Sequence, residues 1–207
     1  MNNSLKPRFG VLISGNGSNL QAILDACAAG TLDAEVAVVI SNKLEAYGLE
    51  RARKSGVRAA GLSPAHYEDA AAFDRAVLGE LLRHKVDWVV MAGYMRLLGS
   101  HVLDAFPQRV LNLHPALLPA FPGAHAIEEA FSAGVKETGV TVHIANEEFD
   151  QGPIIAQEAV PVLPDDSLES LEERIHAVEH RLYPEVLRWI AAGRVRVHDR
   201  KVVVDDH

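Results

Sequence analysis

Short apolar runs alternate with amphipathic stretches through the first half of the chain. Phe9 to Ile13 is apolar, rich in branched residues and closed by Gly15, which reads as a buried strand. From about Ser18 the spacing Leu20, Ile23, Leu24, Cys27 puts four side chains on one helical face. Glu35 to Ser41 reads as a second strand, and Tyr47 to Ser55 as a second helix stopped by Gly56, which can adopt the left-handed conformation. A short strand is expected near Val57. Phe73, Val77, Leu78, Leu81 and Leu82 recur at helical spacing, Trp88 to Met91 is another strand, Ser100 to Phe106 a short helix, and Val110 to Leu113 a further strand.

The second half reads differently. Thr138 to Ile144 and Ile154 to Val162 are strand-like and close in sequence, which predicts antiparallel pairing across the acidic loop between them. A long helix follows. Asp166 with Glu169 resembles a capping box, Leu168, Leu171, Ile175, Val178 and Leu182 supply its apolar face, and Pro184 is expected to kink or interrupt it. Two short runs around Asp199 predict a terminal hairpin. The expected fold is therefore α/β and Rossmann-like: a mostly parallel sheet with helices on both faces, and antiparallel strands in the C-terminal half.

Composition narrows the function classes. The 207 residues, 48% hydrophobic and 23% charged, have globular composition and suit one domain over 1–207. A net charge of -8 disfavours nucleic acid or an anionic membrane as partner, so any anion must be held locally. The opening MNNSLKPRFG has no apolar core of signal-peptide length, and no run approaches membrane-spanning length, so a cytoplasmic location is expected. The single cysteine, Cys27, excludes an internal disulfide and a cysteine cluster for zinc; its place on the first helix's apolar stripe assigns it to a core.

Three segments could carry chemistry. The glycine-rich turn Ser14-Gly15-Asn16-Gly17-Ser18-Asn19 joins a strand to a helix, where unpaired N–H groups and the helix dipole favour phosphate. Leu20 stands where a dinucleotide fingerprint needs a small residue, and Ser41-Asn42 replaces the acidic ribose partner, so a phosphomonoester fits better than NAD. In the second segment a strand runs into Pro115, Pro119 and Pro122, so Asn112 and His114 project to one side of a stiff strand end. The third is Phe149-Asp150-Gln151-Gly152-Pro153, a turn whose carboxylate, if set beside the histidine, raises the imidazole pKa and holds an imidazolium. His114, His125, His143 and Asp150 are metal-ligand types, but none forms a compact ligand spacing, and no Gly-x-Ser-x-Gly elbow occurs. No metal is expected.

With GNGSN, AGYMRLL, LNLHPALLP and FDQGPI in this order, the chain resembles the glycinamide ribonucleotide transformylases, within the folate-dependent formyl transferases and hydrolases, over nearly its whole length. The resemblance implies formyl transfer from the co-substrate 10-formyltetrahydrofolate to the amine of glycinamide ribonucleotide in purine biosynthesis. Asn112, His114 and Asp150 are then catalytic, with Asn112 and a protonated His114 stabilising a tetrahedral intermediate. Gly17, Ser18, Asn19, Leu20 and Gln21, with His176, Ala177, Val178 and Glu179, are expected to contact the nucleotide. Met95, Arg96, Leu97 and Leu98, with Asn112 and Asn146, Glu147, Glu148, Phe149 and Asp150, are expected to form the folate pocket. Residues 1–105 or so form the nucleotide half, and those from about 106 to 207 the catalytic and folate half. One departure stands out: Ala70 occupies the place of a family arginine that meets the folate. Partners are small molecules, with the chain a monomer or homodimer. A formyl hydrolase, a sugar-nucleotide formyltransferase and a non-catalytic folate or nucleotide sensor remain alternatives.

Overall fold

The computed structural model describes residues 6–148, 150–198 and 201–205; Phe149 and Asp199 lie outside them. A seven-stranded sheet forms the centre. Its strands are β1 (Arg8–Ile13), β2 (Glu35–Ser41), β3 (Ala59–Gly61), β4 (Trp88–Met91), β5 (Val110–His114), β6 (Glu137–Ile144) and β7 (Ile154–Pro161), in the order β3-β2-β1-β4-β5-β6-β7. The first five run parallel; β6 is antiparallel to both β5 and β7. Strand order reverses between β1 and β4, and in open sheets of this kind ligands occupy the crevice outside the carboxyl ends at that reversal.

The helices are α1 (Ser18–Ala28), α2 (Tyr47–Lys54), α3 (Ala70–Arg83), α4 (Ser100–Ala105), α5 (Ala126–Ser132) and α6 (Leu168–Ala191). Alternation along β1 explains how they divide. Phe9, Val11 and Ile13 face one core with Leu20 and Ile23 of α1, Leu49 of α2 and Leu171, Ile175 and Tyr183 of α6. Leu12 faces the other, with Phe73 and Val77 of α3 and Val102 of α4. Both faces are covered, which is why these strands read as continuous apolar runs rather than alternating ones. A separate antiparallel hairpin, β8 (Val195–His198) and β9 (Lys201–Val204), ends the described chain.

Several expectations shift. The third strand lies at Ala59–Gly61, just past Val57. The N-cap of α6 is Ser167, whose hydroxyl accepts the Ser170 N–H at 3.2 Å while Ser170 Oγ accepts the Ser167 N–H at 3.0 Å, so Ser167 and Ser170 make the capping box instead of Asp166 and Glu169. Asp166 instead accepts the Leu163 N–H and pairs with Arg174. Pro184 does not interrupt α6. Leu182, Tyr183, Val186 and Leu187 around it are buried, and the Tyr183 hydroxyl donates to the Met91 carbonyl at 2.9 Å. That packing outweighs the roughly 3 kcal/mol that a proline costs inside a helix. The short helix α5 has no counterpart in the apolar spacing, because seven residues hold too few turns to display a period.

Candidate active site

Leu111 and Leu113 of β5 enter the first core, so Asn112 and His114 project from the opposite face of the strand. Asp150 reaches them from the turn between β6 and β7. Its Oδ1 accepts from Asn112 Nδ2 at 3.3 Å, and its Oδ2 lies 3.4 Å from His114 Nδ1. Oδ2 also accepts the Gly123 N–H at 2.8 Å, tying the proline-rich segment to the same carboxylate. The side chains of His114 and Asp150 are only 4% and 3% exposed.

The backbone that delivers these groups is strained. Asp150 has φ 54° and Phe121 has φ 50°, left-handed values that cost about 1–3 kcal/mol for residues other than glycine. Phe121 thereby places its carbonyl 2.7 Å from His114 Nε2. Gly152 allows the turn to lie flat on β6, since a Cβ there would stand 1.6 Å from the Ile144 carbonyl oxygen. Behind the proline-rich segment, Thr141 Oγ1 accepts the Leu118 N–H and donates to the Ala116 carbonyl, while Gln157 Nε2 donates to both Thr141 Oγ1 and the Leu118 carbonyl.

A second ring completes the cluster. His143 Nε2 lies 3.2 Å from Asn112 Nδ2 and 3.5 Å from Asp150 Oδ1, while its Nδ1 is 3.0 Å from the Ile144 carbonyl. The ring thus stands between the Asn112 amide, the Asp150 carboxylate and the Ile144 carbonyl, and braces both working side chains from the neighbouring strand. Burial raises the Asp150 pKa, yet His143, the Gly123 N–H and His114 together outweigh it and hold the carboxyl below its ordinary value. For His114 the balance is the reverse. Burial pushes its pKa below the ordinary value, against the opposing pull of Asp150 and the Phe121 carbonyl. The expected raised pKa is therefore corrected: desolvation of a ring enclosed on nearly every side exceeds the attraction of one carboxylate at 3.4 Å.

The glycine-rich turn forms the other side of the crevice. Gly17, with φ 76°, is the N-cap of α1, and no side chain caps the helix, so its first N–H groups are left to the cleft. A Cβ on Gly17 would stand 2.8 Å from Gly48 Cα, so two glycines let the turn rest on α2. A cleft of about 440 Å³ opens here, lined by Gly17, Ser18 and Asn19 with His176 and Glu179. Asn19 Nδ2 donates to Glu179 at 3.0 Å. The Leu20 side chain is fully buried, leaving only its backbone for a ligand, and Gln21 turns instead to Asp25 and Arg51. Ala177 and Val178 do not line this cleft; they fall between the two turns of α6 that face it.

The residues expected to hold folate do not share one cavity. Met95 lines the 440 Å³ cleft, Asn146 and Glu147 border a hollow of about 340 Å³ with Phe106 and Gln108, and Asp150 lines one of about 580 Å³ with Pro119, Pro122 and Gly123. Glu148 is exposed and donates its N–H to Asn146 Oδ1. Leu98 is buried in the second core, Leu97 is exposed, and the Arg96 guanidinium lies over the Phe73 ring at 5.0 Å. Leu113 and Pro115, the chain neighbours of Asn112 and His114, line the phosphate-type cleft, and Asp150 lines the other hollow, so the three candidates lie between the two.

A profile of the formyl transferase family matches residues 7–187. The chain belongs to the formyl transferase family. Among its relatives, the phosphoribosylglycinamide formyltransferase of Bacillus subtilis (strain 168) is 44% identical over 183 residues, covering 88% of this chain and 94% of that protein. The phosphoribosylglycinamide formyltransferase of Escherichia coli (strain K12) is 42% identical over 195 residues, covering 94% and 92%. The crystal structure of glycinamide ribonucleotide transformylase 1 from Symbiobacterium toebii superimposes with a TM-score of 0.95 at 53% identity, over 97% of this chain and 95% of that one.

In this formyl transferase the site contains groups that the sequence reading passed over. His143, by sequence only a metal-ligand residue type, stands opposite Asn112 on the next strand in register and contacts its side chain. Period-two alternation through Thr141, His143 and Ala145 was the available signal. Ser14 joins the two halves of the crevice: its Oγ accepts the Met95 N–H at 2.8 Å and donates to Asn42 at 2.6 Å. Arg51 braces the glycine turn through the Asn16 carbonyl and side chain. Among the described residues no group of three or more His, Cys, Asp or Glu is placed to hold a metal ion, and no helix is long and apolar enough to cross a membrane.

Proposed function

We propose that this formyl transferase moves the formyl group of 10-formyltetrahydrofolate to the amine of glycinamide ribonucleotide, a step of purine biosynthesis. The observation that carries the reading is the convergence of Asn112, His114 and Asp150 beside a cleft whose far end is an uncapped helix N-terminus suited to a phosphomonoester. The full-length likeness to enzymes named for this substrate supports it.

The residues divide the chemistry between them. When the neutral amine adds to the formyl carbon, a C–N bond forms and the carbonyl π pair moves onto oxygen. Asn112 is the donor for that oxyanion: its long 3.3 Å contact with Asp150 is the one it can exchange. Such a donor contributes about 3 kcal/mol. The addition leaves a proton on the incoming nitrogen, and collapse must deliver one to the folate nitrogen as its C–N bond breaks. His114 performs this relay. Burial, which pushes its pKa down, favours the neutral ring, the form able to accept that proton. Its Nε2 lies 2.7 Å from the Phe121 carbonyl and its Nδ1 3.4 Å from Asp150 Oδ2, so the ring has an acceptor for a proton on either nitrogen while it holds the one in transit to the folate nitrogen.

The test is spectroscopic. Purified protein should convert 10-formyltetrahydrofolate to tetrahydrofolate only when glycinamide ribonucleotide is added. Equal conversion without the amine, with formate released, would establish hydrolysis in its place; tight folate binding with no conversion would establish a sensor.

A further inference from the structure

The ionisable side chains that line the cleft at the uncapped end of α1 are three glutamates, one histidine and one lysine. Glu128, Glu172 and Glu179 line it, and among its described lining residues Lys43 is the only lysine or arginine. A phosphomonoester dianion entering the cleft meets the carboxylates of Glu128 and Glu172, with Glu179 pushed toward its neutral form by burial, and backbone N–H groups alone carry no net charge against them. The segment bearing Lys43 is built as a fixed pedestal. The Ser41 hydroxyl, fully buried at the end of β2, accepts the Lys43 N–H at 3.0 Å and donates to the Lys43 carbonyl at 2.8 Å. The next residue, Asn42, accepts from Ser14 at 2.6 Å, and Ser14 in turn fixes Met95 across the crevice. A buried serine committed to both backbone groups of one exposed lysine sets the place from which that side chain projects. Lys43 also borders an open hollow with Tyr47 and Ser63, so its ammonium stays hydrated and meets an incoming anion at little desolvation cost.

We propose that Lys43 is the charge-reading residue of the substrate site, selecting a dianionic phosphomonoester over the dephosphorylated or monoanionic form and drawing it to the α1 N-terminus. The role rests on the formyl-transfer reading for its substrate, but the anion subsite stands on the cleft itself. Lys43 touches no reacting atom; it acts on binding.

The experiment compares wild type, Lys43→Met and Lys43→Arg. Lys43→Met should raise KM for glycinamide ribonucleotide about ten- to thirty-fold, the loss expected for a charge-assisted hydrogen bond, with kcat and the folate KM nearly unchanged. The rise of KM with salt should flatten in the same variant, and Lys43→Arg should restore most of both. Inorganic phosphate is a second probe, independent of turnover: it should raise the Tm of wild type more than that of Lys43→Met. Equal KM, salt dependence and phosphate protection in wild type and Lys43→Met would overturn the proposal. If wild type shows no turnover while phosphate protection still depends on Lys43, the formyl-transfer reading falls and the anion subsite stands.

Discussion

The two sides of the crevice are built on opposite principles. On the nucleotide side, glycine geometry and backbone N–H groups do the work, the Arg51–Asn16 contacts that brace the turn are exposed, and Gly17 takes its left-handed conformation without a Cβ to clash. On the reacting side the working groups are buried side chains, and Asp150 and Phe121 hold left-handed backbone despite having side chains. A site for a phosphate needs only N–H groups aimed at one place, which a helix end supplies whatever its side chains are. A site for proton transfer needs specific atoms in a specific protonation state, and burial with strain provides that at some cost in stability.

The sharpest test of this contrast is Asp150→Asn. An amide cannot accept the His114 proton as a charge-assisted partner, and it loses the ionised oxygen that takes the Gly123 N–H. Turnover should fall by about 10³-fold while affinity for glycinamide ribonucleotide, measured by calorimetry, stays within a few-fold of wild type. Near-normal turnover would show that the reacting side does not depend on this carboxylate.

Gly152→Ala probes the same side through its backbone. With the Ile144 oxygen 1.6 Å from the new Cβ, the turn carrying Asp150 must move off β6. The expected cost is about 3 kcal/mol of stability, with kcat falling more than the nucleotide KM rises. Chemical denaturation together with steady-state kinetics separates the two effects. A variant as stable and active as wild type would mean that the turn tolerates displacement.

These differences also governed what the amino-acid sequence revealed. The parallel sheet was legible because strands buried on both faces appear as unbroken apolar runs, and the convergence of Asn112, His114 and Asp150 was legible because proline and glycine signals flank them. His143 was not, since a histidine within a strand looks the same whether it fills a core or orients an amide. The division of the expected folate residues among three hollows was equally hidden: whether Leu98 packs under α3 or faces a ligand depends on tertiary packing that local spacing does not encode. The pKa of His114 went the wrong way for a related reason. Sequence suggested the carboxylate partner, but the larger effect, desolvation, is a property of the enclosing volume.

Two histidines have depressed pKa values: His114 at the reacting end, which is buried, and His180 on α6, which is half-buried. Burial is the leading cause in both. An unfolded chain binds protons to these rings at higher pH than the folded one does, so folding stability is fully present above 6.5 and is lost as pH falls from there through the folded-state values. Thermal unfolding should show the Tm falling between pH 7.5 and 5, and His114→Gln and His180→Gln should each remove part of that slope. Glu179, whose pKa burial raises, contributes the opposite slope, so the comparison with each variant decides: slopes unchanged by both substitutions would mean that neither ring is desolvated as described. His180 has a buried Nε2 with no hydrogen-bond partner among the described residues, whereas His114 has acceptors at both nitrogens, so a proton is easier to place on His114.

The smallest effect is expected for Arg51→Ala. The guanidinium donates to the Asn16 carbonyl at 2.8 Å, to the Asn16 side chain at 2.7 Å and to Gln21 at 3.2 Å, yet the two Asn16 contacts are exposed. Exposed pairs of this kind contribute about 0.2–1 kcal/mol. The turn keeps the Gly48 N–H bond to the Gly15 carbonyl at 3.1 Å and its rest against α2 without the arginine. The KM for glycinamide ribonucleotide should therefore rise by no more than about five-fold, with kcat unaltered. A hundred-fold rise would show that the glycine turn needs side-chain bracing as much as the reacting side needs Asp150, and the distinction between a backbone-built and a side-chain-built half of the crevice would fail.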